Sequence, residues 1–261
     1  MKIQITLAPG AVTQFLLRVV VCLVVLYVLT KMPVYFLPDY PLRDFLADKF
    51  DLDAEGNIPT FYSFLALLFS SVLLGAIAHG KNLDNDRYKN HWKILSFIFL
   101  YLSLDEIGQV HEDFVFPMQK LLNPTGFLYS AWIVLFGFLA AIFALSYSKF
   151  LFHLPVSTKK MFVAAFALYV GGAIGLEMPG GYLVYTDSVH SVTFMILIAI
   201  EEALEMLGIV VFIHALMSYI KIYLGGVSWN ISLEGKKTPV TEIPNIGIPA
   251  LGEPANRNLS K

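Results

Sequence analysis

Residues 190–219 read HSVTFMILIAIEEALEMLGIVVFIHALMSY. An unbroken run of this length without proline is long enough for a helix through a lipid bilayer, which needs about 20 apolar residues. It exceeds that length, so its continuation through 220–224 is expected to run out along the inner surface. Yet it carries Glu201, Glu202 and Glu205, and the apolar stretches before and after them are each too short to span alone. The three glutamates are therefore expected near mid-depth. At 100° per residue His190, Glu201 and Glu205 share one face, with Glu202 adjacent.

The rest of the chain has the same character. Of 261 residues 57% are hydrophobic and only 15% charged, against about 25% charged in a soluble domain. Mean hydropathy is +0.67. A soluble enzyme, a disordered chain and a nucleic-acid binder are excluded. The net charge of −2 offers no basic surface for phosphates. The single cysteine, Cys22, lies in an apolar run and excludes both a disulfide scaffold and a multi-cysteine zinc site.

Six segments qualify as spans: 12–30, 60–79, 92–110, 127–148, 161–176 and 190–219. The first is too long for a signal-peptide core and no A-x-A-like site follows it, so it reads as an uncleaved helix in which Arg18 extends toward the near interface. Lysine and arginine set orientation. Lys81, Arg87, Lys89 and Lys93 stand in the second connection and Lys149, Lys159 and Lys160 in the fourth. The third holds only Lys120, the fifth neither residue, and acids outnumber bases in the first. This predicts a bacterial inner-membrane protein with both termini cytoplasmic. The fold class is all-α, a polytopic bundle of about six transmembrane helices over residues 1–225. In the outer loop 33–59, the spacing of Leu42, Phe45, Leu46 and Phe50 predicts a short helix on the membrane surface. Residues 226–261, rich in Gly, Pro, Asn and Ser, form a polar cytoplasmic tail with little regular structure. Its sequons at Asn230 and Asn258 fall on the cytoplasmic side and read as chance.

The third span repeats the anomaly of the sixth in LSLDEIGQVHED, 102–113. About a dozen apolar residues precede Asp105, too few to cross, so Asp105 and Glu106 lie within the membrane toward its outer half. Asp105, Gln109 and Glu112 fall on one helical face beside Tyr101, and Asp113 flanks it. His111 points elsewhere unless the helix ends there. Glu177 adds a carboxylate at the outer end of the fifth span. Each acid costs about 2.5–3.5 kcal/mol at a helix centre, so four ionised and unpaired would cost on the order of 10 kcal/mol. No lysine or arginine stands at that depth in these spans. The acids must be protonated, hydrated or bound to cations.

Three functions follow. In the first, Asp105, Glu106, His111, Glu112, His190, Glu201, Glu202 and Glu205 hold one or two divalent metal ions, with Glu55, Glu177, Gln109 and Tyr101 as further candidates. Helical bundles hold di-iron and di-manganese pairs with carboxylates and histidines on facing helices. Oxygen-rich ligands favour iron or manganese, then magnesium or calcium. The usual Glu-x-x-His is absent, and Glu202-x-x-Glu205 and Glu106-x4-His111 stand in its place. In the second, the acids carry protons or cations. In the third, protonated acids hold helices together in a structural subunit. No haem, nucleotide or nucleic acid is expected. The partners are lipid and other membrane subunits or further copies of the chain.

Smaller motifs have plainer readings. Asp51-x-Asp53-x-Glu55-Gly56 begins like an EF-hand loop, but its twelfth position is Tyr62, so turn and cap chemistry is expected. Ala164, Ala167, Gly171 and Gly175 form a small-residue stripe suited to internal helix packing. His79 and His214 read as interfacial or hydrogen-bonded rather than haem ligands. The strings EGNIPTFYS (55–63), SLDEIGQVHE (103–112) and EEALEMLG (201–208) resemble segments of uncharacterised bacterial multi-span membrane proteins that carry SLDE-x4-HE and EE-x2-E. The resemblance covers the second, third and sixth spans and implies no activity.

Overall fold

The computed structural model describes residues 2–5, 8–225 and 229–232. These fall into two units, one of strands and one of helices.

In the first unit β1 (Lys2–Ile5) pairs antiparallel with β2 (Trp229–Ser232), Lys2 opposite Ser232 and Ile5 opposite Trp229. The tail is expected to have little regular structure unless a partner holds it, and for these four residues β1 is the partner. KIQI and WNIS carry β-branched and aromatic residues that favour strands, and each satisfies the other's backbone groups. Asn230 of the first sequon lies in β2, whereas Asn258 falls outside the described residues.

The second unit is helical throughout. It comprises α1 (Pro9–Phe36), α2 (Arg43–Lys49), α3 (Ile58–Leu83), α4 (Lys89–Gly108), α5 (Val115–Leu122), α6 (Trp132–His153), α7 (Val156–Val170), a π segment (Gly171–Leu176), α8 (Glu177–Tyr185) and α9 (Val192–Tyr223). Four stretches are long and apolar enough to cross a membrane: Pro9–Phe36, Ile58–Leu83, Trp132–His153 and the continuous rod Val156–Tyr185. They carry the expected first, second, fourth and fifth spans. Large apolar side chains such as Phe15, Leu29, Phe138 and Leu145 are exposed on them, as a lipid-facing surface requires.

Two span limits differ from expectation. The fourth begins at Trp132 because the chain before it makes a tight turn at Gly126–Leu128, with Gly126 at φ +61°. The fifth continues beyond Leu176 in spite of Pro179. The π segment ends there, and Pro179 becomes the third residue of a new α-helix, within a first turn whose amide protons have no intrahelical acceptor to lose.

α9 is the spine. Its 32 residues pack against α1, α3, α7 and the π segment. The close approach depends on two glycines. A β-carbon on Gly208 would lie 2.8 Å from the Tyr169 amide nitrogen, and one on Gly172 would lie 2.8 Å from the Glu201 carbonyl oxygen. The predicted stripe is one position off: Gly171 and Gly175 meet nothing within 4 Å, and the packed face runs through Ala165, Tyr169 and Gly172. Side-chain size alone does not reveal which face meets a partner; Gly208 supplies that information. α3 and α4 are joined by reciprocal serine bonds, Ser71 Oγ donating to Ser96 O at 2.8 Å and Ser96 Oγ to Ser71 O at 2.9 Å.

One end of this unit is closed by an aromatic core. Trp92 of α4 meets Phe150 of α6 edge-on at 5.0 Å and Phe162 of α7 at 6.0 Å, with Tyr219 of α9 beneath. At the same end the turn after α3 is fixed by Asp86. It accepts from the Tyr88 amide at 2.7 Å and pairs with Lys81 at 3.3 Å. Burial alone would raise the Asp86 pKa, but these two donors outweigh it and hold it below the ordinary 3.8. A depressed carboxylate stabilises the fold at pH values above its unfolded pKa and loses that contribution as pH falls through the folded one. Asp86→Asn is therefore expected to be less stable than wild type at pH 7 and indistinguishable from it well below pH 3.8, as read by denaturant unfolding in detergent. A pH-independent difference would contradict this.

α2 forms where a short helix was expected between residues 33 and 59, with Phe45 and the preceding Leu42 exposed. His214 accepts or donates a 2.8 Å bond to Thr13 Oγ1, as expected of a hydrogen-bonded histidine. The EF-hand resemblance resolves into turn chemistry. Asp51 pairs with Lys31 and accepts the Asp53 amide, while Asn57 caps α3 through Thr60.

Candidate functional site

Beyond the aromatic core, toward the opposite ends of the same helices, the bundle encloses a cavity of about 1030 Å³. Eight acids line it: Asp53 and Glu55 before α3, Asp105 and Glu106 near the end of α4, Glu177 at the start of α8, and Glu201, Glu202 and Glu205 in α9. His111 and Tyr101 line it as well, and among the described residues no lysine or arginine does. The two separate acid clusters of the sequence therefore meet.

α4 places Asp105 and Glu106 by stopping early. It ends at Gly108, and Gln109 takes the left-handed conformation (φ 55°, ψ 30°), uncommon for a residue with a side chain. The chain turns back. Asp105 Oδ1 accepts the His111 amide at 3.1 Å, and Oδ2 pairs with His111 Nδ1 at 3.0 Å. His111 thus enters the cavity from which a continuous helix would have excluded it. Its Nε2 lies 3.4 Å from Glu55 Oε1. The hydrogen bond from Asp105 raises the His111 pKa and outweighs burial, which lowers it. With Nδ1–H directed at Asp105, Nε2 is the ring atom left to meet a proton or a metal ion.

In α9, at about 1.5 Å per residue, Glu205 stands about 20 Å from the helix start at Val192. Glu201 is only 5% exposed. Its Oε2 is buried and meets no N–H or hydroxyl donor among the described residues, and the polar group that reaches Glu201 is the Glu177 carboxyl. A β-carbon on Gly180 would lie 4.0 Å from that oxygen and from Glu177 Oε2, so the two carboxylates converge over this glycine. The charges acting most strongly on Glu201 are other acids, Glu177 and Glu202 first. Those acting on Glu202 are Glu106, Asp53, Glu177 and Glu55. Among the described residues, no three His, Cys, Asp or Glu side chains are gathered closely enough to ligate a single ion in the arrangement seen.

Two candidates lie elsewhere. His190 is exposed in the turn before α9, because the helix starts only after its Ser191 cap and the face extrapolated from Glu201 ends there. Gln109 serves as the helix stop and is not on the cavity wall. The side chain of Glu112 falls outside the described residues. Two lining residues were not anticipated. Asp53 was hidden in a loop whose path depends on the Asp51–Lys31 pair. Tyr169 of α7 stands within electrostatic reach of Glu205 and Glu106; its signal is a tyrosine deep within a span rather than at the interfacial belt.

Fold and site together define an all-helical bundle with several membrane-competent helices around an acidic cavity. The chain belongs to the family described as "Domain of unknown function (DUF8692)", matched over residues 16–220, which include all eight acids. No curated protein and no solved structure matches it.

Proposed function

We propose that the chain is an integral protein of the bacterial inner membrane with six spans, α4 and α9 being the third and sixth, and both termini cytoplasmic. Its outward cavity binds one or two divalent metal ions, iron or manganese before magnesium or calcium, for redox or hydrolytic chemistry. The observation that supports this reading is the composition of the wall: among the described residues it holds eight acids and one imidazole and no lysine or arginine. Such a wall needs positive charge from outside the protein. Asp105, Glu106, Glu201, Glu202 and Glu205 would supply hard oxygen ligands and His111 Nε2 one nitrogen, with Glu55 and Glu177 at the margin. Elemental analysis of protein purified without chelator is the test, with one or two metal ions per chain as the expected result. Metal-free wild-type protein overturns it.

A second reading, proton or cation passage, is favoured by a specific observation. The acids are strung along the cavity rather than gathered about one point. It predicts pH-driven flux in vesicles that Glu201→Gln abolishes.

Orientation has its own test. Asn85 and Asn123 both have positive φ, so cysteine is better placed at Asn82 and Lys120. In a Cys22→Ala background these should label from opposite faces of the membrane. Labelling of both from outside would overturn the topology. The exposed apolar faces are left for lipid, other subunits or a second copy.

A further inference from the structure

The acids occupy only part of the cavity wall. The remainder is apolar and follows α6, where Trp132, Phe136, Ala140, Phe143, Tyr147 and Phe150 all line the space. They recur every three or four residues, so they share one face of the helix, which lines the cavity from Trp132 and closes at its far end through Tyr147 and Phe150 against α4. From Trp132 to Phe150 that face is about 27 Å long at 1.5 Å per residue. Phe166 of α7 and Phe212 of α9 form the wall opposite. The two ends differ in chemistry. At one, the Trp132 ring lies 5.9 Å from His111 and the carboxylates begin. At the other, Phe150 closes against Trp92.

A bare polar site has no use for a long aromatic and aliphatic extension. Apolar walls stay dry and take apolar guests, and a cavity of about 1030 Å³ is at the upper end of the range of ligand sites, about 300–1,000 Å³. One leaflet of a bilayer with a core of about 30 Å is about 15 Å thick, the reach of one hydrocarbon chain, which the α6 face accommodates. Glu201 and Glu177, two carboxyls that converge over Gly180 with no basic or amide donor at the Glu201 Oε2 among the described residues, mark where the polar end of the guest belongs.

We propose that this cavity binds a lipid-like amphiphile, its hydrocarbon chain along α6 and its neutral or cationic head group at the carboxylates. The assignment rests on the reading of the acidic cavity as the functional site and names the class of molecule it receives. An anionic head group is disfavoured because the wall is acidic and, among the described residues, carries no lysine or arginine to meet it.

The test uses the full chain in nanodiscs with Trp132 as the only tryptophan (Trp92→Phe, Trp229→Phe). The probes are a long-chain alcohol, a long-chain alkylamine and a fatty acid, each brominated on the chain to quench Trp132. Quenching by the alcohol and the amine should saturate. In chelator-treated protein, where no ion can bridge a carboxylate head, the fatty acid should bind at least tenfold more weakly. Ala140→Phe, which fills the cavity, should weaken alcohol binding at least tenfold; Ala173→Phe from the π segment repeats the test if the first variant does not fold. Quenching that rises linearly without saturation, equal binding of all three probes after chelation, or no effect of either filling substitution overturns the proposal. Saturable quenching in protein that never held metal would sink the metal reading alone. Metal-loaded protein with linear quenching would sink the amphiphile alone.

Discussion

Glu201→Gln should reduce bound metal at least tenfold and lower the melting temperature together with it. Glu201 is almost wholly buried, the polar group that reaches it is the Glu177 carboxyl, and the charges acting on it most strongly are negative. Removing one ligand from such a set leaves the others uncompensated, and because bound metal contributes to folding free energy, loading and stability fall together. The amide keeps the shape of the side chain, so the loss cannot be assigned to packing. Protonated acids that only join helices predict a different outcome, little change in stability and no metal to lose. A proton path predicts a third: normal stability, no metal and no flux. Metal stoichiometry, melting and flux on this one variant separate the three. An unchanged metal content in Glu201→Gln removes Glu201 from the ligand set.

Gly208→Ala should be among the most disruptive methyl groups that can be added to this bundle. The new carbon would lie 2.8 Å from the Tyr169 nitrogen and 3.0 Å from the Ala165 oxygen. Both are backbone atoms that no rotamer change can move, so α7 and α9 must separate. Overpacking of this kind costs about 1–3 kcal/mol, with at most about 1 kcal/mol returned by the better helix propensity of alanine. The net effect is a fall of several degrees in melting temperature. Gly171→Ala is the internal control, since nothing stands within 4 Å of its position; alanine there should be neutral or stabilising. Equal melting of the two variants would show that α7 and α9 are not held as described. Gly208→Ala should also impair the site, because the same contact sets the distance between Tyr169 and the glutamates of α9.

The elements that could be read from the sequence are those written in long apolar runs. α1, α3 and α6 follow from hydropathy alone, and the meeting of Asp105 with Glu201 on one cavity follows from the cost of leaving acids in lipid. Features set by a backbone decision at a single residue could not be read this way. Gln109 turns left-handed, and His111 moves onto the site; Ser191 caps α9, and His190 is left outside it. β2 depends on a partner strand more than 200 positions away, which no local pattern announces. The packed glycines were misassigned by one position because a stripe of small residues states that a helix can be approached closely, not from which side.

The π segment adds a last consequence. A π turn is an α-helix holding one residue more than its hydrogen bonds require. Everything after it in the rod, Glu177 included, therefore faces where it does through counting rather than through composition. Removing one residue between Tyr169 and Glu177 would let the segment relax to α geometry with Glu177 facing as it does now, whereas tightening it to α geometry at constant length would rotate Glu177 by about 100°, carrying its carboxylate away from Glu201 although every ligand-forming residue remained in the chain. What this stretch must preserve is the match between its number of residues and the width of its turn, and in that sense its backbone hydrogen-bond pattern is as much a part of the site as the acids are.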